Sequence, residues 1–220
     1  MNLDEEFNNF INQESFPCIG AKAALKKNQL HYLIAKDLRL NHDDQAILQH
    51  TYDFINRWKS NTQTLQTSIV LFQHPRFLME VAFEDYLWKR LQSLHELDSQ
   101  HYKWDSSVHS EVAHKKFSFS LGGHAFFVVG LHSQSSRKAR AFAYPSLVFN
   151  LHEQFELLKK NGVYGLMRDK IRENDVLFSG SINPMLCDFG ESSEALQYSG
   201  REVNQSFVCP FKAMIKNEER

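Results

Sequence analysis

Three cysteines in 220 residues, Cys18, Cys187 and Cys209, are an odd count and too few for a disulfide scaffold. Proline is scarce at five and glycine at nine, and no repeat or low-complexity tract divides the chain. No apolar run approaches the roughly 20 residues that cross a bilayer. Neither charge dominates: 25 Lys and Arg stand against 26 Asp and Glu, a formal net charge of −1. Proteins whose main partner is nucleic acid usually carry a basic surplus, so that class is set aside. Met1 to Phe10 is acidic and polar, unlike the basic-then-apolar order of a secretion signal. The expectation is a soluble, cytoplasmic chain with no membrane or nucleic-acid partner, residues 1–220 forming a single domain.

What the chain has in excess is phenylalanine, at 18, and histidine, at 11. An aromatic-rich interior suits a large flat apolar ligand as well as it suits ordinary packing. Histidines raise the odds of metal or proton chemistry, although most serve at the surface.

Periodicity places the elements. Ser15 to Ala24 mixes Pro, Cys and Gly and reads as a structured loop entering a helix or strand. Asp43 and Asp44 precede a helix carrying Ile47, Leu48, Phe54, Ile55 and Trp58. SIVLF at Ser68–Phe72 is a short β-branched run and predicts a strand. Glu80 to Leu97 is the strongest helix, with Leu87, Trp88, Leu91, Leu94 and His95 on one face. Phe117, Phe119 and Leu121 alternate with serines, and Gly122-Gly123 is a two-residue hairpin turn. AFFVVGL, Ala125–Leu131, is apolar on both faces, as a central strand is. SLVFN at Ser146–Asn150 predicts a further strand that runs straight into a helix at His152. Tyr164 to Val176 predicts another helix, and from Phe178 to Phe211 no period holds. Together these give an α+β fold, a mostly antiparallel central sheet covered by helices with a long irregular C-terminal segment.

Several residues could carry chemistry. His132 ends the central strand, a rigid platform opening onto loops, and Arg137, Lys138 and Arg140 follow as a cation cluster suited to carboxylates or phosphates. The bland alternative is a loop histidine among solvated charges. His152 opens a helix, where the positive dipole end favours a neutral ring with a lone pair for a metal; otherwise it caps or packs. His95 on an apolar face is more often core than ligand. Cys209-Pro210 could offer a thiolate to iron, or simply a small buried side chain. No paired CxxC, zinc-type HxxxH, phosphate-binding glycine loop or GxSxG elbow is present.

The motifs taken in order resemble one family. FPCIGAKAA from Phe16, LWKRLQSLHELD from Leu87, FSFSLGGHAFFVVGLH from Phe117, SSRKARAFAYPSLVFNLHEQFE from Ser135, GSINPMLCDFGESSEALQYSGREV from Gly180 and a final CPF look like the YqcI/YcgG family. The resemblance spans Phe16 to Phe211. That family includes haem-dependent N-hydroxylases of guanidine groups. The implied activity is therefore a haem-dependent monooxygenase that N-hydroxylates a guanidine-bearing small molecule such as an arginine derivative, with haem b as cofactor and a reductase as electron source. His132 and His152 match the family's motifs and become the candidate iron ligands, with His95 and Cys209 behind them. Arg137, Arg140 and Lys22 are the implied partners of the haem propionates, and Arg201 is a further match on the cofactor side. Phe126 and Phe127 would wall the porphyrin. Glu153, Glu191 and Glu194 are the acids to hold a guanidinium by paired hydrogen bonds. The chain departs from the pattern at His124 (Arg expected), Ser133 and Leu151 (Pro expected) and Phe207 (Trp expected). Two other readings stay open: a haem carrier or sensor without oxygenation chemistry, and a non-haem enzyme using the Arg137/Arg140 cluster on an anionic substrate.

Overall fold

The computed structural model describes residues 2–204 and 206–214. Its frame is one five-stranded sheet in the order β1-β2-β5-β4-β3, built from β1 (Leu30–Asp37), β2 (Thr67–His74), β3 (Phe119–Leu121), β4 (His124–Leu131) and β5 (Ser146–Leu151). Three of its four pairings are antiparallel; β1 and β2 run parallel. Parallel neighbours need a crossover, which α3 (Asp44–Ser60) supplies. The remaining helices are α1 (Leu3–Asn12), α2 (Ile19–Lys26), α4 (Glu80–Asp98), α5 (His152–Lys160) and α6 (Tyr164–Ser179). The α+β class and the mostly antiparallel sheet follow the sequence reading. Beyond α6 the only regular piece among the described residues is a 3-10 turn at Glu194–Gln197. No helix among the described residues is long and apolar enough to cross a membrane.

The period of two divides the sheet into two faces. Val70, Phe72, Phe126, Val128, Leu147 and Phe149 point to one side and pack on α3 and α4 through Phe54, Leu87, Trp88 and Leu91, with Tyr198 and Phe211 of the C-terminal segment closing that layer. Ile69, Leu71, Val129, Leu131 and Val148 point to the other side, against Phe7, Phe10 and Ile11 of α1 and Phe16. The AFFVVGL run is apolar on both faces because each face has its own helical cover.

Gly122 and Gly123 take φ of +60° and +75° in the β3–β4 turn, which only the mirror-image hairpin turns require. Gly130 is demanded by space instead. A Cβ there would sit 2.7 Å from both Leu87 Cδ1 and the Phe83 ring. Gly130→Ala is therefore expected to lower the unfolding free energy by about 1–3 kcal/mol through overpacking. A urea midpoint unchanged from the parent protein would contradict this packing.

Two elements went unread in the sequence. α1 carries Phe7, Phe10 and Ile11 at helical spacing behind an Asn2–Glu5 capping box. β1 reads LHYLIAKD, a mixed pattern, because it is an edge strand. The Ser15–Ala24 segment, expected as a loop entering a helix or strand, enters α2 at Ile19, with the Cys18 sulfur accepting from Ala21 N as its N-cap.

Candidate functional site

Between the second sheet face and the helices α2, α5 and α6 lies a cavity of about 360 Å³, within the usual range for a small-molecule or cofactor site. Its floor is the outward set of strand residues, Ile69, Phe127, Val129, Leu131, Val148 and Asn150. Phe7, Ile11, Phe16 and Cys18 close one side, and Phe155, Met167, Ile171 and Phe189 another. Most of this wall is apolar. The polar groups it contains include His152, Glu194, Gln154, Thr67 and Asn150, together with a set of charged side chains.

His152 stands at the first position of α5, where β5 ends. Leu151 points to the α3/α4 face, so the next residue turns to the cavity side. Its Nε2 lies 2.9 Å from Ser118 Oγ and 3.0 Å from Glu194 Oε1. Ser118 spends its own hydroxyl proton on the Phe126 carbonyl, at 2.9 Å. Both neighbours of Nε2 are then acceptors, so in the neutral ring the proton sits on Nε2 and the lone pair on Nδ1. Among the described residues Nδ1 makes no hydrogen bond. Glu194 is 4% exposed and also receives the Tyr198 hydroxyl at 3.3 Å. A carboxylate fixing one imidazole nitrogen while the other stays free is the arrangement that orients metal-ligating histidines.

The other candidate histidines lie elsewhere. His132 is 1% exposed and follows Leu131, so strand alternation turns it to the opposite face. There it stacks on Phe83 with ring centroids 4.3 Å apart, and its Nδ1 is 3.2 Å from the Leu78 carbonyl. Its Nε2 is buried without a partner among the described residues, and burial lowers the pKa of the ring. It does not line the cavity. His95 is a core residue whose Nε2 accepts from Met214 N at 2.8 Å, between Trp104 and Phe211. Cys209 packs on the α3/α4 layer, and burial pushes its thiol up to about 12, far from a thiolate.

The two phenylalanines separate by the same alternation: Phe127 lines the cavity, and Phe126 is fully buried on the other face. Of the three acids, Glu194 lines the cavity, and Glu153 and Glu191 do not. Glu153 is paired with His124, and Glu191 accepts from Asp188 N at 3.0 Å. The departure at His124 thus keeps a partner for Glu153, as a histidine in place of an arginine. Arg201 is bound to Glu84, at 3.0 Å from Nε, on α4 and away from the cavity. Lys22 donates to the Glu14 carbonyl at 2.7 Å and is not part of the lining.

Arg137 and Arg140 both reach the cavity but differ in pairing. Arg137 holds Asp175 at 2.5 Å and the Ser181 hydroxyl at 2.9 Å. Arg140 donates to carbonyls: Nη1 to Gly130 and Tyr198 (3.0 and 3.2 Å), Nη2 to Gln197 (3.3 Å). Burial lowers its pKa to about 10. Arg168 and Arg172, which the sequence reading passed over, share Asp188 at 2.5 and 3.0 Å. Their helix spacing, with Met167 and Ile171 interleaved, was the available signal for a lining face on α6.

Gln154 secures the polar end. Its amide accepts from Gln66 N at 2.6 Å and donates to Gln66 O at 2.8 Å, tying α5 to the start of β2. No group of three or more His, Cys, Asp or Glu among the described residues is arranged to hold a bare metal ion. An iron already held by a porphyrin needs only one or two protein ligands, and the lone pair of His152 beside an apolar wall fits that demand.

A profile of the YqcI/YcgG family matches residues 7–212. The protein YcgG of Bacillus subtilis (strain 168) is 27% identical over 219 residues, covering 93% of this chain and 83% of that protein. YqcI of the same organism is 28% identical over 224 residues, covering 94% and 86%. No solved structure matches the chain. With a match that leaves out only the first six residues and the last eight, the chain belongs to the YqcI/YcgG family.

Proposed function

We propose that this protein is a haem-dependent N-hydroxylase of a guanidine-bearing small molecule, with haem b seated in the cavity over the sheet. The observation that carries the reading is His152: a buried imidazole on a cavity wall, its Nε2–H held by Glu194 and Ser118 and its Nδ1 free. His152 would hold the iron, and Glu194 is its positioning residue, in turn steadied by Tyr198. Phe127, Val129, Leu131 and Val148 offer a flat apolar surface to a macrocycle and keep water from it. When bound, haem would supply the oxygen chemistry: one atom of O₂ enters a guanidine N–H bond and the other leaves as water, with two electrons from a reductase and two protons. The chain's part is to orient the substrate. A guanidinium is planar and is best held by a carboxylate through two parallel hydrogen bonds. Of the lining carboxylates, Glu194 is taken by His152 and Tyr198, Asp175 by Arg137, and Asp188 by Arg168 and Arg172, so Glu156, paired with Lys159 at 2.7 Å, is the one to receive a guanidinium.

The test is the absorbance spectrum of the purified chain supplied with haemin, before and after adding arginine or another guanidine. The expected result is a Soret band whose spin state shifts with the guanidine. A six-coordinate low-spin spectrum that ignores carbon monoxide would favour a carrier or sensor. Protein that stays colourless with excess haemin would remove haem from the account and leave a non-haem enzyme.

A further inference from the structure

Five cationic side chains line the cavity: Arg137, Arg140, Lys159, Arg168 and Arg172. Four have a carboxylate partner: Arg137 has Asp175, Lys159 has Glu156, Arg172 has Asp188, and Arg168 shares Asp188 and also holds Asp169, outside the lining. Arg140 has no carboxylate partner among the described residues. Its contacts are the carbonyls of Gly130, Gln197 and Tyr198, which stabilise a guanidinium without cancelling its charge. A guanidinium has five N–H donors in a fixed plane. Those three contacts use two hydrogens on Nη1 and one on Nη2, leaving Nε–H and one Nη2 hydrogen. Two free donors in one plane are what a carboxylate takes up in a bidentate pair.

The side chain is also held in place. Gly200, at φ +80°, lies against it so closely that a Cβ there would be 3.3 Å from Arg140 Cγ. An uncompensated guanidinium is costly inside a protein unless an anion arrives. We infer that Arg140 is an anion anchor, and that whatever occupies the cavity is an apolar-bodied molecule bearing a carboxylate that pairs with this residue. Haem propionates and a substrate carboxylate share that chemistry. The inference does not need haem to be the occupant.

The test compares acids with their esters in the unsubstituted protein. Haemin and haemin dimethyl ester are titrated into haem-free chain by absorbance. Pyrenebutyrate and its methyl ester are titrated by fluorescence into haem-free and haem-loaded chain. A charge-assisted pair predicts an acid preference of about 10- to 100-fold, lost in Arg140→Gln and only partly kept in Arg140→Lys, whose ammonium keeps the charge without the planar pair of donors. A preference with haemin alone makes a propionate the partner; one with pyrenebutyrate in haem-loaded protein makes it a substrate carboxylate. Arg140 also ties three carbonyls, so the acid–ester comparison decides the matter even where Arg140→Gln fails to fold. Acid and ester bound equally, or neither acid bound, overturns the inference. Haemin and its ester taken up equally, with pyrenebutyrate and its ester also bound equally by the haem-loaded chain, would do so while leaving the haem reading intact. Pyrenebutyrate preferred by a chain that takes no haemin would do the reverse.

Discussion

Replacing His152 with alanine is expected to abolish the Soret band of haemin-loaded protein, and replacing His132 with alanine is expected to leave it in place. The contrast follows from which sheet face each ring occupies. His152 borders the cavity with a free Nδ1, and His132 is packed on Phe83 on the other side. His132→Ala should instead cost about 3 kcal/mol of stability, the usual scale for truncating a large buried ring. Glu194→Gln keeps the size of the side chain but weakens its hold on Nε2–H. Loss of such an outer partner typically lowers metal affinity about 10- to 100-fold. Haemin titration and urea unfolding of the three variants separate the effects. A Soret band that survives His152→Ala and disappears with His132→Ala would reverse the assignment.

The largest loss of stability is expected far from the cavity, at Asp44→Ala. Asp44 and Arg90 pair with side chains each 2% exposed. Arg90 Nη2 also donates to the Leu38 carbonyl at 2.8 Å, and Ser93 Oγ donates to Asp44 Oδ2 at 2.5 Å. Burial raises the Asp44 carboxyl above its ordinary pKa, the mark of a charge that has lost its water. Removing the carboxylate leaves a buried guanidinium with carbonyl partners only, at a cost of about 3–5 kcal/mol. For a chain of this size each kcal/mol lowers Tm by about 2–4 °C. The double variant Asp44→Leu/Arg90→Met removes both charges and should lose much less than Asp44→Ala. A single variant within about 1 kcal/mol of the parent, against a double variant that is worse, would mean the pair is not the strut described.

Much of the frame could be read from the residues because short-range periodicity wrote it. Phe117 to Leu131 gave two strands and their Gly-Gly turn, since alternation and the mirror-image turn are both local properties. The apolar face of Glu80–Leu97 gave α4, and His95 on that face proved to be core. Strand alternation carried more than was drawn from it: Leu131 and His132 must face opposite ways, as must Phe126 and Phe127. β1 was lost because an edge strand has one poorly covered side, which blurs its pattern. α1 was lost although Phe7, Phe10 and Ile11 marked it plainly.

By itself, then, the sequence determined the α+β class, the antiparallel centre of the sheet, the family and a short list of imidazoles and guanidinia. Only the tertiary structure decided which of them share a space. Charge pairing is a long-range matter: Asp175 claims Arg137 across 38 positions and Glu84 claims Arg201 across 117. Residue type and spacing say what a side chain can do, but not which partner has already taken it. In this chain that choice separates Arg140 from Arg137, and His152 from His132.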